Sequence, residues 1–479
     1  MFIRPISRSS LRIATAILMS LTAAACTPVT GSLLPQQKLA SDWQARLPHD
    51  GQTGELIDWW DMFDDDSLKA LLTIAERENA TLAIAAANIR SARANYETQK
   101  SYLLPSADAS ASVTRSGTDA DGTPKVAAST SRSGTLDANW EVDLFGKARN
   151  NAKAADARTA SSAADWHDVR VSLSAEVTDY YVQYRACRQL VATYRQELAS
   201  QRETIKASAF SASNGLTSTA DLALVRANAA SSSSSLTAQE AECDLIVESL
   251  TEITGGDEGR VRALLKKGRQ GIPTPHGFKV VSVPADLLRQ RPDLRSLEWE
   301  VVAEANELGA SKADLYPSLA LSGSIVLNAN NVSGNSLPWS FGPSLSLPVF
   351  DGGLRRAAVR ASKAELEAAS ATYRAGILTA VNEVESALVR LDSTRRRLGD
   401  ATTAAREYRN YFRSVDQNWK AGGASILDRE EARRSAQSAQ LTVIELRRDA
   451  VRYWIALYKS LGGGWTSDSL QSDIQGHNL

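Results

Sequence analysis

GTLDANWEVDLFGKARNNAKAADAR, residues 134–158, changes its period in the middle. From Leu136 to Leu144 the apolar positions alternate as Leu136, Ala138, Trp140, Val142 and Leu144, with Asp137, Asn139, Glu141 and Asp143 between them. A period of two describes a strand with one apolar and one polar face. After Gly146 the alternation stops, and an alanine-rich, charged stretch runs to Asn214. That composition favours helix. An amphipathic strand therefore feeds directly into a very long helix, and the fold has to explain the junction.

The chain has 479 residues, 43% of them hydrophobic and 6% aromatic, with a formal net charge of −1. Such a balance argues against a nucleic-acid partner, which would select a basic face. Abundant Ala and Ser with few aromatics suits close-packed helices better than a thick globular core. At the N-terminus, Arg4, Arg8 and Arg12 precede the apolar run Ile13 to Leu21 and then TAAAC, residues 22–26. This reads as an export signal, since the run is too short for a stable membrane helix. The small residues before Cys26 resemble a bacterial lipobox, with Ala23 in place of the usual Leu. That resemblance implies lipidation of Cys26, and Thr27 after it implies sorting to the outer membrane. An ordinary signal peptide with a chance cysteine is the alternative. No other segment reaches the roughly 20 apolar residues of a spanning helix.

The second half repeats the first. NATL (79–82) matches RPDL (291–294), LLPSADAS (103–110) matches LYPSLALS (315–322), and DLFG (143–146) matches PVFDGG (348–353). Gly215 with Asp221 matches Gly422 with Asp428, and TGG (254–256) matches LGGG (461–464). Each half reads helix, strand, strand, long helix, helix. One strand stripe is Ala107, Ala109, Ala111 and Val113, then Leu136 to Leu144. The other is Leu319, Leu321, Ile325 and Leu327, then Trp339, Phe341, Leu345 and Leu347. Their lengths approach the 9–11 residues of a membrane strand, although a soluble sandwich would alternate too. Pro343 and Pro348 are expected at a rim or irregularity.

The long helices carry two rows at a spacing of seven. In the second half these are Leu366, Tyr373, Ala380, Ala387, Thr394, Ala401, Tyr408, Val415 and Ile377, Val384, Leu391, Leu398, Ala405, Phe412, Trp419. The first half keeps them as Trp166, Leu173, Tyr180, Cys187, Tyr194 and Val177, Tyr184, Val191, Leu198, Ile205. A sustained heptad specifies a left-handed coiled coil. A helix over 147–214 would be roughly 100 Å long at 1.5 Å per residue. An open sheet cannot survive in lipid, and the smallest membrane barrels need about eight strands. Several chains must therefore share one barrel, whose strands continue into a helical tube.

This pattern resembles the TolC outer-membrane channel family. The lipobox and VPADLLRQRPDL (283–294) resemble its NodT-type lipoprotein branch, the outer-membrane components of tripartite efflux systems. The match extends over nearly the whole mature chain. It rests on RPDL, the WEVDLFGK junction, LPVFDGG and the duplicated Gly-x5-Asp. The resemblance implies an α+β membrane protein of long coiled-coil helices. It further implies a homotrimer, in which four strands per chain make one twelve-stranded barrel over a periplasmic α-barrel. A periplasmic adaptor and an inner-membrane pump of the RND type would be its partners, outer-membrane lipid its surroundings, and no cofactor is implied.

The expected boundaries are a signal peptide at 1–25, a lipid-anchored extended segment at 26–66, a helix at 67–104, a membrane hairpin at 105–145 and a helical hairpin at 146–256. A linker follows at 257–290, then a helix at 291–316, a second membrane hairpin at 317–350, a helical hairpin at 351–464 and a tail at 465–479.

By resemblance, Asp428 and Glu431 occupy the family's acidic constriction at the closed periplasmic tip, with Asp221 the first-half counterpart and Trp419 an aromatic that helps hold the tip. Three residues apart, Asp428 and Glu431 share a helix face. Repeated around a threefold axis they would form acidic rings and raise one another's pKa. Two solvated carboxylates at a helix start are the alternative. Ala424 stands where the family has an arginine, which puts a lock through Asp221 in question. The turns with Gly215, Leu216, Thr217, Gly422 and Gly423 would meet the adaptor, again by resemblance.

Cys187 lies 28 residues before Gly215 and Cys243 lies 28 after it. A hairpin folding at that glycine puts them opposite each other, so a disulfide is expected, with two buried thiols as the alternative. DMFDDD (61–66) reads as an acidic helix start rather than a cation site. The scattered His49, His167, His276 and His477 suggest neither a metal site nor a triad. The sequence thus points to a non-enzymatic exit duct for small molecules. A duct for type I protein secretion and a non-transporting structural envelope lipoprotein are the alternatives.

Overall fold

The computed structural model describes residues 59–117, 128–275, 291–332 and 334–463. The signal peptide, Cys26, His49, His276 and the tail after residue 464 lie outside them. Two units are distinguished. The first holds the described parts of Ile89–Ser161 and Leu297–Arg374, the second those of 38–88, 162–296 and 375–479.

The sheet belongs to the first unit. Its strands are β1 (Ser106–Ser116), β2 (Ser129–Val142), β3 (Ser318–Asn330), β4 (Gly334–Ser336) and β5 (Trp339–Ser346). All pairings are antiparallel, in the order β1-β2-β3, with β4 and β5 both on β3. β4 and β5 share one register against β3 and form a single return arm, broken at Leu337 and Pro338. Each half of the chain thus supplies one hairpin. The register aligns the alternating stripes: Ala109 faces Leu136, Leu136 faces Ile325, and Ile325 faces Trp339. Val142, Leu319 and Leu345 make a second apolar row. Asp108, Asp137, Ser324 and Ser340 line up on the opposite face. Val113, Leu136, Ile325, Leu327, Trp339, Phe341 and Leu345 are all exposed. A contiguous bare apolar face of this kind marks a surface that meets lipid or another chain.

Pro348 lies just past β5, as expected, but Pro343 sits inside the strand opposite Leu321. The ladder explains its tolerance. The N–H of Val326 donates to Pro338 O, so the even-numbered residues of β5 bond to β3. In an antiparallel pair, alternate residues turn their N–H and C=O the other way. The missing N–H of Pro343 therefore falls on the outer edge, where no described strand pairs with it.

The helices are α1 (Asp66–Glu78), α2 (Ala80–Ser101), α3 (Lys147–Ser213), α4 (Thr219–Ile253), α5 (Glu258–Lys267), α6 (Pro292–Ala313), α7 (Leu354–Lys420) and α8 (Ile426–Ser460). The repeat is kept to the residue: α2 and α6 have 22 residues, α3 and α7 have 67, and α4 and α8 have 35. The single helix expected at 67–104 is instead two, divided at Asn79. Its side chain accepts from Leu82 N and donates to the Ile253 carbonyl, ending one helix and capping the next. No described helix is long and apolar enough to cross a membrane.

The strand-to-helix junction has a local cause. Gly146 adopts φ +87°, which frees Asp143 to accept from the backbone N–H of Ala148 and Arg149. This caps two of the donors that a helix start leaves open. Asp351 does the same for α7, accepting from Gly353 and Arg355.

The second unit has the apolar core. Trp59, Phe63, Leu68, Leu71, Val177, Leu250, Leu265, Leu388, Tyr458 and Leu461 pack together. Tyr181 is fully buried among them, donating to the Asp65 carboxylate and accepting from Arg185. The acidic run therefore does begin a helix: Asp65 caps α1, while Asp61 and Asp64 pair with Lys69 and Arg269. The seam rows are buried through Ala380, Val384, Ala387, Leu391, Thr394 and Ala405, and open at Tyr408. Cys187 and Cys243 join α3 to α4 by a disulfide with Cα atoms 5.7 Å apart.

Candidate functional site

Both helical hairpins turn on a left-handed glycine, Gly215 at φ +72° and Gly422 at φ +80°. At the second turn a Cβ on Gly423 would collide with the Asn418 side chain, whose backbone carbonyl accepts the Gly423 N–H at 2.9 Å. Leu216 is exposed and Thr217 half-buried in the first turn. Each hairpin then restarts on a serine N-cap, Ser218 before α4 and Ser425 before α8.

The expected gate residues take separate roles. Asp428 closes a capping box with Ser425, accepting from its N–H at 3.1 Å and its hydroxyl at 2.6 Å. The Ser425 side chain and backbone hold its carboxyl below the usual range. The expected elevation therefore does not arise within the chain, because Asp428 is committed to its own helix start. Glu431 is exposed and pairs with Arg434. Asp221 is half-buried in the first turn of α4, its N–H bonded to Ser218 Oγ at 3.0 Å. Trp419 is half-buried, with the Arg429 guanidinium 4.6 Å from its ring centroid.

Arg429 leads to a cluster that the sequence reading missed. In the second unit, α3, α7 and α8 are tied by buried ions one to four turns from the hairpin ends. Arg429 reaches Asp416 of α7 at 2.6 Å and Thr204 of α3 at 2.7 Å. Arg433 pairs with Glu430 on its own helix and with Glu197 of α3 at 2.8 Å. Gln201 donates to Glu197 at 2.9 Å, and Lys420 pairs with Asp416 at 2.7 Å. Asp416, Glu197 and Glu430 thus balance Arg429, Arg433 and Lys420. Glu430 is only 1% exposed. Burial raises the Glu197 carboxyl and lowers Arg433 to about 10, the latter opposed by Glu197. Both shifts record the desolvation that such a cluster carries. A signal existed in the repeat, since Arg429 and Glu430 stand where the first half has Leu222 and Ala223.

The other acidic group is different in kind. Glu300, Glu304 and Glu307 of α6 all converge on one guanidinium, that of Arg158.

The profile of a family described as outer membrane efflux protein matches residues 71–256 and 283–463, once over each half. The chain belongs to the outer membrane efflux protein family. Relatives agree along the chain's length. Nodulation protein T of Rhizobium leguminosarum bv. viciae is 28% identical over 423 residues, 86% of this chain and 86% of the relative. Outer membrane protein OprJ of Pseudomonas aeruginosa is 27% identical over 469 residues, 94% of this chain and 95% of the relative. The solved outer-membrane channel OprN superposes with a TM-score of 0.79 at 27% identity, covering 90% of this chain and 99% of that one. As an outer membrane efflux protein, the chain is an outer-membrane channel component with a periplasmic helical extension.

Proposed function

We propose that three copies of this chain form one exit duct, which passes small molecules from a periplasmic adaptor and an inner-membrane RND pump to the exterior. The bare apolar face of a sheet that ends on two edge strands, β1 and β5, carries this reading. A membrane sheet has to close. Four arms fall short of the roughly eight strands of the smallest barrels, so closure requires further copies. Cys26, the expected lipid site, would tether each copy to the outer membrane.

In this reading the chain performs no chemistry, and energy comes from the pump. Gating is mechanical. The Glu197–Arg433–Glu430–Arg429–Asp416 cluster clasps α8 to α3 and α7 and holds the tip helices together. Adaptor binding at the turns around Gly215 and Gly422 loosens the clasp. Asp428 and Glu431, at the start of α8, would line the opening. Dye and antibiotic retention in a deletion strain tests this: wild type restores export, and Asp428→Ala/Glu431→Ala increases leakage. Unchanged retention across a broad panel would refute small-molecule efflux.

A further inference from the structure

We infer that Arg115 and Arg132 form a clamp, on the lipid-facing side of the sheet, for the phosphomonoester headgroup of an outer-leaflet lipid. This rests on the reading that the bare apolar face meets lipid, and it names the lipid chemistry held there.

The strands place the two arginines. β1 and β2 adjoin the helices at Ser106 and Val142, as β3 and β5 do at Ser318 and Ser346. Because the helical extension is periplasmic, the opposite end of the sheet, at Ser116 and Ser129, is its outer end. Arg115 has the parity of Val113 and Arg132 that of Leu136, so both lie on the apolar face. Arg132 stands directly opposite Val113, which makes Arg115 its diagonal neighbour. Such neighbours are roughly 7–8 Å apart, within the joint reach of two long side chains. Both arginines are exposed, and among the described residues neither has an ion pair. The acids of the described strands, Asp108, Asp137 and Glu141, all lie on the polar face, so none of them can meet this pair.

Their height fits a headgroup. On its other side Arg132 faces Ala329 of β3. From Leu319 to Ala329 the apolar face of β3 runs about 33 Å, or about 25 Å along the membrane normal at the usual strand tilt. That is the height of the apolar band of an outer-membrane barrel. Arg132 therefore sits level with the top of the band, and Arg115 lies beyond it. An arginine on the lipid face is costly at mid-membrane and tolerated at the interface. Two side by side repel each other, and an anion between them reverses that. A phosphomonoester carries roughly −1.5 to −2 charge at pH 7, which matches two guanidinium forks in charge and geometry. A zwitterionic headgroup has no net charge to offer.

A second observation points to a lipid rather than a soluble phosphate. Gly134 lies two residues below Arg132 on the same face, between Ala111 and Leu327. Its φ is not positive, and a Cβ there would meet nothing within 4 Å, so neither backbone nor crowding calls for glycine. The notch it leaves beneath the clamp seats the first carbons of an acyl chain.

The test is native mass spectrometry of the purified full-length protein in detergent, titrated with lipid A, whose glucosamines carry phosphomonoesters. Wild type retains it, and Arg115→Gln/Arg132→Gln binds it about thirty-fold more weakly, the effect of two arginines at a lipid surface. Gly134→Leu weakens binding several-fold with both arginines in place; unchanged binding would remove the acyl contact. Phosphatidylethanolamine competes poorly and inorganic phosphate does not displace lipid A. Arg395→Gln/Arg397→Gln, which removes two exposed charges from α7, leaves binding unchanged. Equal weakening in that control, or none in the first variant with its helical signal intact, would overturn the clamp. Displacement by inorganic phosphate would overturn the lipid as its occupant. Carbonate extraction of vesicles carrying the wild-type protein separates the two claims. A protein that stays inserted but ignores lipid A refutes the clamp alone, and one that is extracted refutes the lipid-facing sheet as well.

Discussion

Glu430 is an acid in a nearly dry place, held there by two arginines. Removing one partner of such a group is far costlier than removing the pair, because the survivor keeps its desolvation. Arg433→Leu is expected to destabilise the protein by about 3–5 kcal/mol. Glu430→Leu/Arg433→Leu/Glu197→Leu should recover most of that, and thermal unfolding of the two variants checks it. Asp168 gives a pH signature. Burial, then Asp293, raises its carboxyl to about 6 against Lys459 and Arg291. The fold favours the protonated form, so this contribution is complete below the unfolded value near 4 and is lost as pH rises through about 6. Asp168→Asn should therefore stabilise at pH 8, on the order of 1–2 kcal/mol after allowing for partial exposure. The gain should vanish at pH 4, which melting curves at the two pH values will show. At this scale the sequence was least legible. Asp428 and Trp419 were singled out by resemblance to the family's closed tip, and within the chain their partners are Ser425 and Arg429. Arg429, Glu430 and Arg433 drew no reading, because nothing in a single helix says which side a third helix covers.

The hairpins were easier to read. Seven-residue rows persist because one face of each long helix stays buried, and Ala380, Val384 and Ala387 confirm that face. Equal spacing from Gly215 brought Cys187 opposite Cys243, where the structure joins them. That bond closes a separation of 56 residues, and a loop this long gives typically 2–4 kcal/mol. Reduction, or Cys187→Ser/Cys243→Ser, should lower the melting temperature accordingly, and calorimetry measures it. Gly422→Ala should destabilise its turn by about 1 kcal/mol, since φ +80° suits glycine alone. Boundaries were less legible. The break at Asn79 depends on the Ile253 carbonyl, 174 residues away. Pro343 was assigned to a rim because a proline in a ladder normally costs a bond, and only the pairing parity shows that its missing donor faces outward.

For the whole molecule, two features decide the account: a duplicated chain and an unclosed sheet with a bare apolar face. The duplication was visible in short motifs, and the structure sharpens it into equal helix lengths. In the proposed reading, the need for several chains follows from strand number. The central claim is that the assembled chain is a duct held shut at its helix tips. Single-channel recording in a planar bilayer tests it most directly, comparing wild type with Arg433→Leu. The account predicts small, mostly closed conductance for wild type and larger, longer openings once the clasp is broken. Absence of conductance steps in both proteins, with oligomers shown to be inserted, would contradict it.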